Sequence, residues 1–238
     1  LLKIFIFSFF TFIIVYLSLY VYAFITPKFQ INTSKNIIYY DKNNDDIFSE
    51  NLNNDYVKLS DITNFTKNAI ISIEDKNFYN HRGFDYPRIL KAMIINIKSG
   101  KIKQGASTIS QQYIKNLYLT FDKTWERKIE EAFLTLELET HYSKNEILEG
   151  YLNTIDFGGE NYGIKEASKY YFNKNPKELT KAEASILVGI PKSPNYYNPI
   201  FNYKNAKDRQ YSVLKSMVNN RYISENEMKK IYNEKISF

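Results

Sequence analysis

The chain has 238 residues, of which 44% are hydrophobic and 24% charged, a balance that excludes a disordered chain and a multi-pass membrane protein. It contains no cysteine, which excludes a disulfide framework and a thiolate metal site. The net charge of +6 is unevenly spread. In the stretch 41–61 six acids (Asp41, Asp45, Asp46, Glu50, Asp55, Asp61) meet only Lys42 and Lys58, whereas in 91–128 eight bases (Lys91, Lys98, Lys101, Lys103, Lys115, Lys123, Arg127, Lys128) meet only Asp122 and Glu126. The second stretch implies an anionic partner: phosphate, lipid headgroup or nucleic acid.

The first element in chain order is an uncharged run at 4–27, between Lys3 and Lys28. As a helix it would reach about 36 Å, enough for a hydrocarbon core of about 30 Å. A secretory signal is the competing reading, but its apolar region is shorter and ends in a small-residue cleavage site, which is missing here. A retained membrane anchor over residues 1–27 is therefore expected. Residues 28–58 are rich in Asn and Asp and read as a stalk with a β-prone run from Ile37 to Tyr40. From residue 59 to 238 the pattern is helical almost throughout. Asp61 is expected to cap a helix with apolar positions Ile62, Phe65, Ala69, Ile70 and Ile73, which delivers the chain to Glu74. Asp85 and Pro87 start the next helix, whose buried stripe is expected to be Ile89, Leu90, Met93, Ile94 and Ile97, with Gly100 ending it. Ser143 with Glu146, and Thr180 with Glu183, form capping boxes ahead of apolar runs.

Several polar positions are candidates for chemistry. In GASTISQQYIKN (105–116), Ser107, Gln111 and Lys115 fall four apart on one helical face, which is either a solvated face or a phosphate site at a helix N-terminus. Arg127 and Glu131 stand at i, i+4, with Lys128 beside them, as a surface ion pair or as charges gathered around an anion. His81 and His141 are the only histidines, too few for a metal cage; His81 is expected to hold a turn and His141 to complement a helix C-terminus. No phosphate-binding glycine loop, dinucleotide fingerprint or D-x-D motif occurs.

In order, EDKNFYNHRGFD (74–85), GASTISQQYIKN, RKIEE (127–131), KNEILEGYLN (144–153), YGIKEASKYYF (162–172) and AEASILVGIPKSPNYYNP (182–199) resemble the motifs of the peptidoglycan glycosyltransferase family, found alone or in class A penicillin-binding proteins. The resemblance implies a mainly α, lysozyme-like bilobal domain over 59–238 behind a single N-terminal transmembrane helix, on the outer side of the cell membrane. It implies polymerisation of lipid II into β-1,4 glycan strands, with inversion at the donor anomeric carbon, release of undecaprenyl pyrophosphate and sensitivity to moenomycin. It casts Glu74 as general base and Glu131 as a second catalytic carboxylate. Ser107, Thr108, Gln111, Gln112, Lys115, Lys123, Arg127 and Lys128 become the substrate and pyrophosphate contacts, supported by Asp75, Phe78, His81 and Asn153. Lys123 stands where relatives often carry Arg, which keeps the charge and loses the bidentate grip.

No cofactor is obligatory in this picture; a divalent cation, Mg or Mn, is an optional aid to the pyrophosphate, and no metal site of the protein's own is expected. The expected partners are lipid II, the growing glycan, the membrane and other cell-wall synthesis proteins, with no nucleic acid. Two rivals stay open: a glycan-cleaving lytic transglycosylase or lysozyme-like enzyme, and a catalytically inactive cell-wall assembly partner. A neutral glycan would not need the cation-rich stretch, and an inactive partner would not need the acids and lysines intact.

Overall fold

The computed structural model describes residues 2–29, 31, 36–40, 46–51, 56–119 and 124–238; the side chains of 2–6, 9 and 12 and of both strands lie outside that description. In chain order the elements are α1 (Leu2–Ile25), β1 (Asn36–Tyr40), β2 (Asp46–Asn51), α2 (Asn64–Glu74), α3 (Tyr86–Ser99), α4 (Ile109–Tyr118), α5 (Trp125–His141), α6 (Lys144–Thr154), α7 (Ile164–Phe172), α8 (Lys181–Leu187), α9 (Tyr203–Asn219) and α10 (Glu225–Asn233). The protein is mainly helical, as expected. Its one sheet among the described residues is the antiparallel β1–β2 hairpin, which pairs Asn36 with Asn51 and Ile38 with Ser49, and β1 covers the β-prone run from Ile37 to Tyr40. The residues divide into two compact units, 1–31 with 81–147, and 32–80 with 148–238.

In the first unit α4 and α5 form the centre. Ile109, Tyr113 and Ile114 of α4 and Leu138 of α5 are fully buried. Thr108 caps α4 and Gln111 answers it in a reciprocal capping box; Thr124 caps α5 by accepting the Arg127 amide. At the C-terminal end of α5, Glu139 accepts from the Ser110 hydroxyl and from Lys144 at 2.6 Å, which joins α4, α5 and the start of α6. His141 is the last residue of α5, at its carbonyl end. Helix α1 lies against α5: Ala23 is buried and the Tyr22 ring meets Phe133 edge-on at 6.3 Å. Its exit is fastened by Tyr142, which donates to the Phe29 carbonyl and sits 4.0 Å beneath the Lys28 ammonium.

Two expectations are corrected here. Asp85 caps α3, Pro87 lies in its first turn and Gly100 ends it. The apolar stripe of α3, however, is not buried. Leu90, Met93 and Ile94 are about half exposed and Ile97 more so, and Ala92 is the one buried residue of that helix. Helical spacing gathers apolar side chains on one face but does not specify what covers it. The other correction concerns α2, whose cap is Thr63, which accepts from the Thr66 amide; Asp61 lies in a preceding single turn of 3₁₀ helix. Among the described residues no helix is long and apolar enough to cross a membrane.

In the second unit α8 is the central element. Every residue of α8 after Lys181 is buried, which explains why its short length is tolerated: the Thr180–Glu183 capping box satisfies its first amides and Lys174 pairs with Glu183 at 2.7 Å. Helices α2, α9, α7 and α10 pack around it, with Ile70, Ile71, Val213, Leu214, Met217 and Ile231 closing the core. The fully buried Gln210 of α9 donates to the Ala182 carbonyl and to Ser185 at 2.9 Å, so the rotation of α9 about its axis is set by α8.

Gly163 precedes α7 at φ +89 and ψ 153, a region open only to glycine, and an added Cβ would lie 2.7 Å from the Asn153 carbonyl oxygen. Gly163→Ala is expected to destabilise the protein by roughly 2–4 kcal/mol from backbone strain and the clash together, read as a lowered denaturant midpoint at unchanged slope.

Candidate active site

Within the first unit, most of the polar candidates converge on Glu131. Its side chain is only 3% exposed although it carries a carboxylate. Arg127, one turn earlier on α5, donates to Oε2 at 2.8 Å; Lys128 and the Gln111 amide, the latter at 3.2 Å, donate to Oε1. A buried carboxylate is tolerable only with such partners. The surface ion pair considered for Arg127 and Glu131 is thus ruled out by burial. Lys128 also reaches the Ser107 hydroxyl at 3.5 Å. Gln111 is engaged at both ends, since its carbonyl oxygen accepts from the Thr108 amide at 3.1 Å.

Thr108 extends this chain of contacts to the turn at Gly83, near the end of the first motif. Its hydroxyl donates to the Gly83 carbonyl at 2.7 Å. Gly83 has φ +86, and a Cβ there would stand 2.8 Å from Thr135 Cγ2 on α5, so a bare backbone is required where this turn meets α5. His81 is partly buried in the bend that leads to it. Gln112 and Lys115 follow on α4, both partly buried. Lys123 lies outside the described residues. The first unit therefore joins Ser107, Thr108, Gln111, Arg127, Lys128 and Glu131 in one connected network.

Within the second unit, Glu74 is the last residue of α2 and Asp75 its C-terminal cap. The Asp75 carbonyl accepts from the Phe78 amide at 2.9 Å, and both Asp75 and Phe78 are fully buried. The Phe78 ring meets Tyr79 edge-on at 5.1 Å. Glu74 Oε1 accepts from the Arg209 guanidinium at 3.0 Å, and the two side chains are 15% and 10% exposed. Tyr151 of α6 is completely buried nearby. Burial drives its phenol well above the ordinary range, the charges of Glu74 and Asp75 push the same way, and Arg209 opposes them. Asn153 serves a different purpose: its amide accepts from the Val57 amide at 2.8 Å and donates to the Val57 carbonyl at 2.9 Å, which pins the segment that precedes α2.

Arg209 and Tyr151 were missed as site residues from the sequence. Arg209 lies in AKDRQYSVLKS, where it reads as one more charge on an amphipathic helix, and its partner is 135 residues away. Tyr151 stands inside KNEILEGYLN, where its spacing reads as core. The Glu131 oxygens are engaged by Gln111, Arg127 and Lys128, and among the described residues no group of three acidic or imidazole side chains occurs that could hold a metal ion.

The family model for Transglycosylase matches residues 42–218. Penicillin-binding protein 2D of Bacillus subtilis (strain 168) is 49% identical over 183 residues, covering 77% of this chain and 26% of the relative. Penicillin-binding protein 1A of Neisseria gonorrhoeae is 41% identical over 184 residues, covering 77% of this chain and 23% of the relative. The chain thus spans about a quarter of the length of these relatives. Among solved structures, penicillin-binding protein 1A of Haemophilus influenzae aligns with a TM-score of 0.48 at 22% identity, covering 86% of this chain and 22% of that one.

Glu131→Ala would leave two cations and a buried amide without their shared acceptor. The expected loss is about 2 kcal/mol of stability, below the full penalty for breaking a buried pair because Lys128 remains 39% exposed and can turn to water. Equilibrium denaturation measures it, and an unchanged midpoint would contradict the role given to this carboxylate.

Proposed function

Because the chain belongs to the transglycosylase family, we propose that it is a membrane-anchored peptidoglycan glycosyltransferase that polymerises lipid II into β-1,4 glycan strands. The observation that carries this reading is the cation cluster organised by Glu131. Evolution of a buried carboxylate whose ligands are a guanidinium, an ammonium and an amide makes sense where those cations must be aimed, and a pyrophosphate is the anion that lipid II offers. A lytic or hydrolytic enzyme acting on neutral glycan has no use for it.

In this reading Glu74 accepts the proton from the 4-hydroxyl of the acceptor sugar. The oxygen then forms a bond to the donor anomeric carbon as that carbon's bond to the pyrophosphate oxygen breaks, which inverts the centre from α to β. The electron pair leaves with undecaprenyl pyrophosphate, and Lys115, Lys123, Arg127 and Lys128 stabilise the charge that develops there. Ser107, Thr108, Gln111 and Gln112 supply polar contacts along α4 and its cap. Glu131 acts by fixing Arg127 and Lys128, Asp75 and Phe78 hold the end of α2 at Glu74, His81 holds its own turn, and Asn153 fastens the chain before α2. A divalent cation, if one takes part, would travel with the pyrophosphate, and no step depends on it.

We place the domain on the extracytoplasmic side, behind a single-pass anchor at 1–27. Supporting the anchor are the uncharged run of 24 residues at 4–27 and the exposed apolar side chains Phe7, Phe10, Ile14, Leu17, Phe24 and Ile25 on α1; the side follows from the family reading alone. The uncovered stripe of α3 and Ile102, interspersed with Lys91, Lys98, Lys101 and Lys103, has the composition of a surface lying in a lipid interface. A lysozyme-like arrangement and partnership with other cell-wall synthesis proteins belong to the same proposal.

Two measurements test it. With labelled lipid II and detergent-solubilised protein, Glu74→Gln should lower polymerisation by about 10²- to 10⁴-fold while lipid II still binds, and near-normal turnover would remove Glu74 from its role. The absence of native cysteine permits single labels: with an environment-sensitive dye in vesicle-reconstituted protein, Ile97→Cys should emit at shorter wavelength than Lys229→Cys. Equal emission would argue that α3 does not touch lipid.

A further inference from the structure

We infer that Arg209 is a positioning residue for the carboxylate of Glu74, an inference that rests on the reading of Glu74 as the base. Four features of the second unit aim this guanidinium. Gln210, the next residue, is fully buried and locks α9 against α8, so Arg209 leaves the helix in a set direction. The Gly189 carbonyl accepts from Arg209 Nε at 3.3 Å. Gly189 itself has no room for a side chain, since a Cβ would stand 2.8 Å from Arg209 Cγ. The Tyr197 ring lies 5.8 Å from the guanidinium carbon. The far end then meets Glu74 Oε1 at 3.0 Å with both side chains largely removed from water.

This arrangement has a chemical purpose that a core ion pair lacks. Arginine stays protonated at any working pH, so it supplies a permanent charge that holds the carboxylate in one rotamer between turnovers. A glutamate at the end of a helix would otherwise sample several rotamers, and a base must sit within about 3 Å of the hydroxyl it serves. The segment AEASILVGIPKSPNYYNP acquires a role in the same stroke, because Gly189 and Tyr197 are what it contributes to Arg209.

The test uses the full chain and labelled lipid II. Arg209→Met is expected to lower kcat by about 100-fold, the scale of a misplaced catalytic group. KM should stay within about threefold, because the residue acts on the base and not on substrate affinity. Arg209→Lys should recover at least about a tenth of the wild-type kcat by restoring the charge without the fork, and added guanidinium ion should raise the turnover of Arg209→Ala. Should Arg209→Met fail to fold, Arg209→Gln is judged by the same criteria. A kcat within about threefold of wild type would overturn the inference. So would a rise in KM matching the fall in kcat with Lys no better than Met, which would make Arg209 a substrate contact or a packing residue. Glu74→Gln separates the two readings: if it is inactive while Arg209→Met is normal, the base stands and this inference falls; if it is active, both fall.

Discussion

A buried carboxylate that must be neutralised is the constraint from which the first unit is built. Glu131 sits on α5 where water cannot solvate it, and three donors from two helices compensate for that loss. Each donor is thereby restrained. Gln111 ties α4 to α5 and, through its capping box with Thr108, holds the first turn of α4 and the Gly83 carbonyl beyond it. Arg127 and Lys128, which on an exposed helix would sweep through many rotamers, are confined to one region. The same interaction therefore serves stability and the placement of positive charge.

The second unit solves a matching problem with opposite signs. Glu74 sits at the end of α2, where the carbonyl dipoles of the helix disfavour a negative charge. The Arg209 guanidinium offsets that, and it is reliable because its own helix is registered by the buried Gln210. The short α8 makes this possible: nearly every side chain on it is buried, so it acts as an internal post for α2, α7, α9 and α10. Stability and function share these residues, and substitutions in the α8–α9 contact would be felt at Glu74 without touching it.

The apolar surface of the first unit follows a different logic. Folding usually hides the hydrophobic stripe of an amphipathic helix, and α4 does so with Ile109, Tyr113 and Ile114. Helix α3 and much of α1 instead keep theirs outside. Such a surface is a liability in water and an asset against a bilayer, where lysines at its margin meet anionic headgroups. A lipid-linked substrate makes that an economical location for the chemistry proposed here.

By itself the sequence determined the local features. The caps at Asp85, Thr180 and Ser143, the end of α3 at Gly100 and the strand at Ile37–Tyr40 depend on neighbours within a few residues, and so could be read from spacing. The ordered motifs likewise identified the family, because each is a short contiguous string. Only tertiary structure decided which faces are covered: α3 bears the same periodicity as a buried helix, yet its stripe is exposed, because periodicity describes one helix and burial depends on what packs against it. Tertiary structure also turned Arg127–Glu131 from an ordinary i, i+4 pair into a buried network, through Gln111 twenty residues away, and brought Arg209 to Glu74 across 135 residues. Those partners leave no trace in local spacing, because their energy arises from the desolvation of charges that adjoin only once the chain has folded.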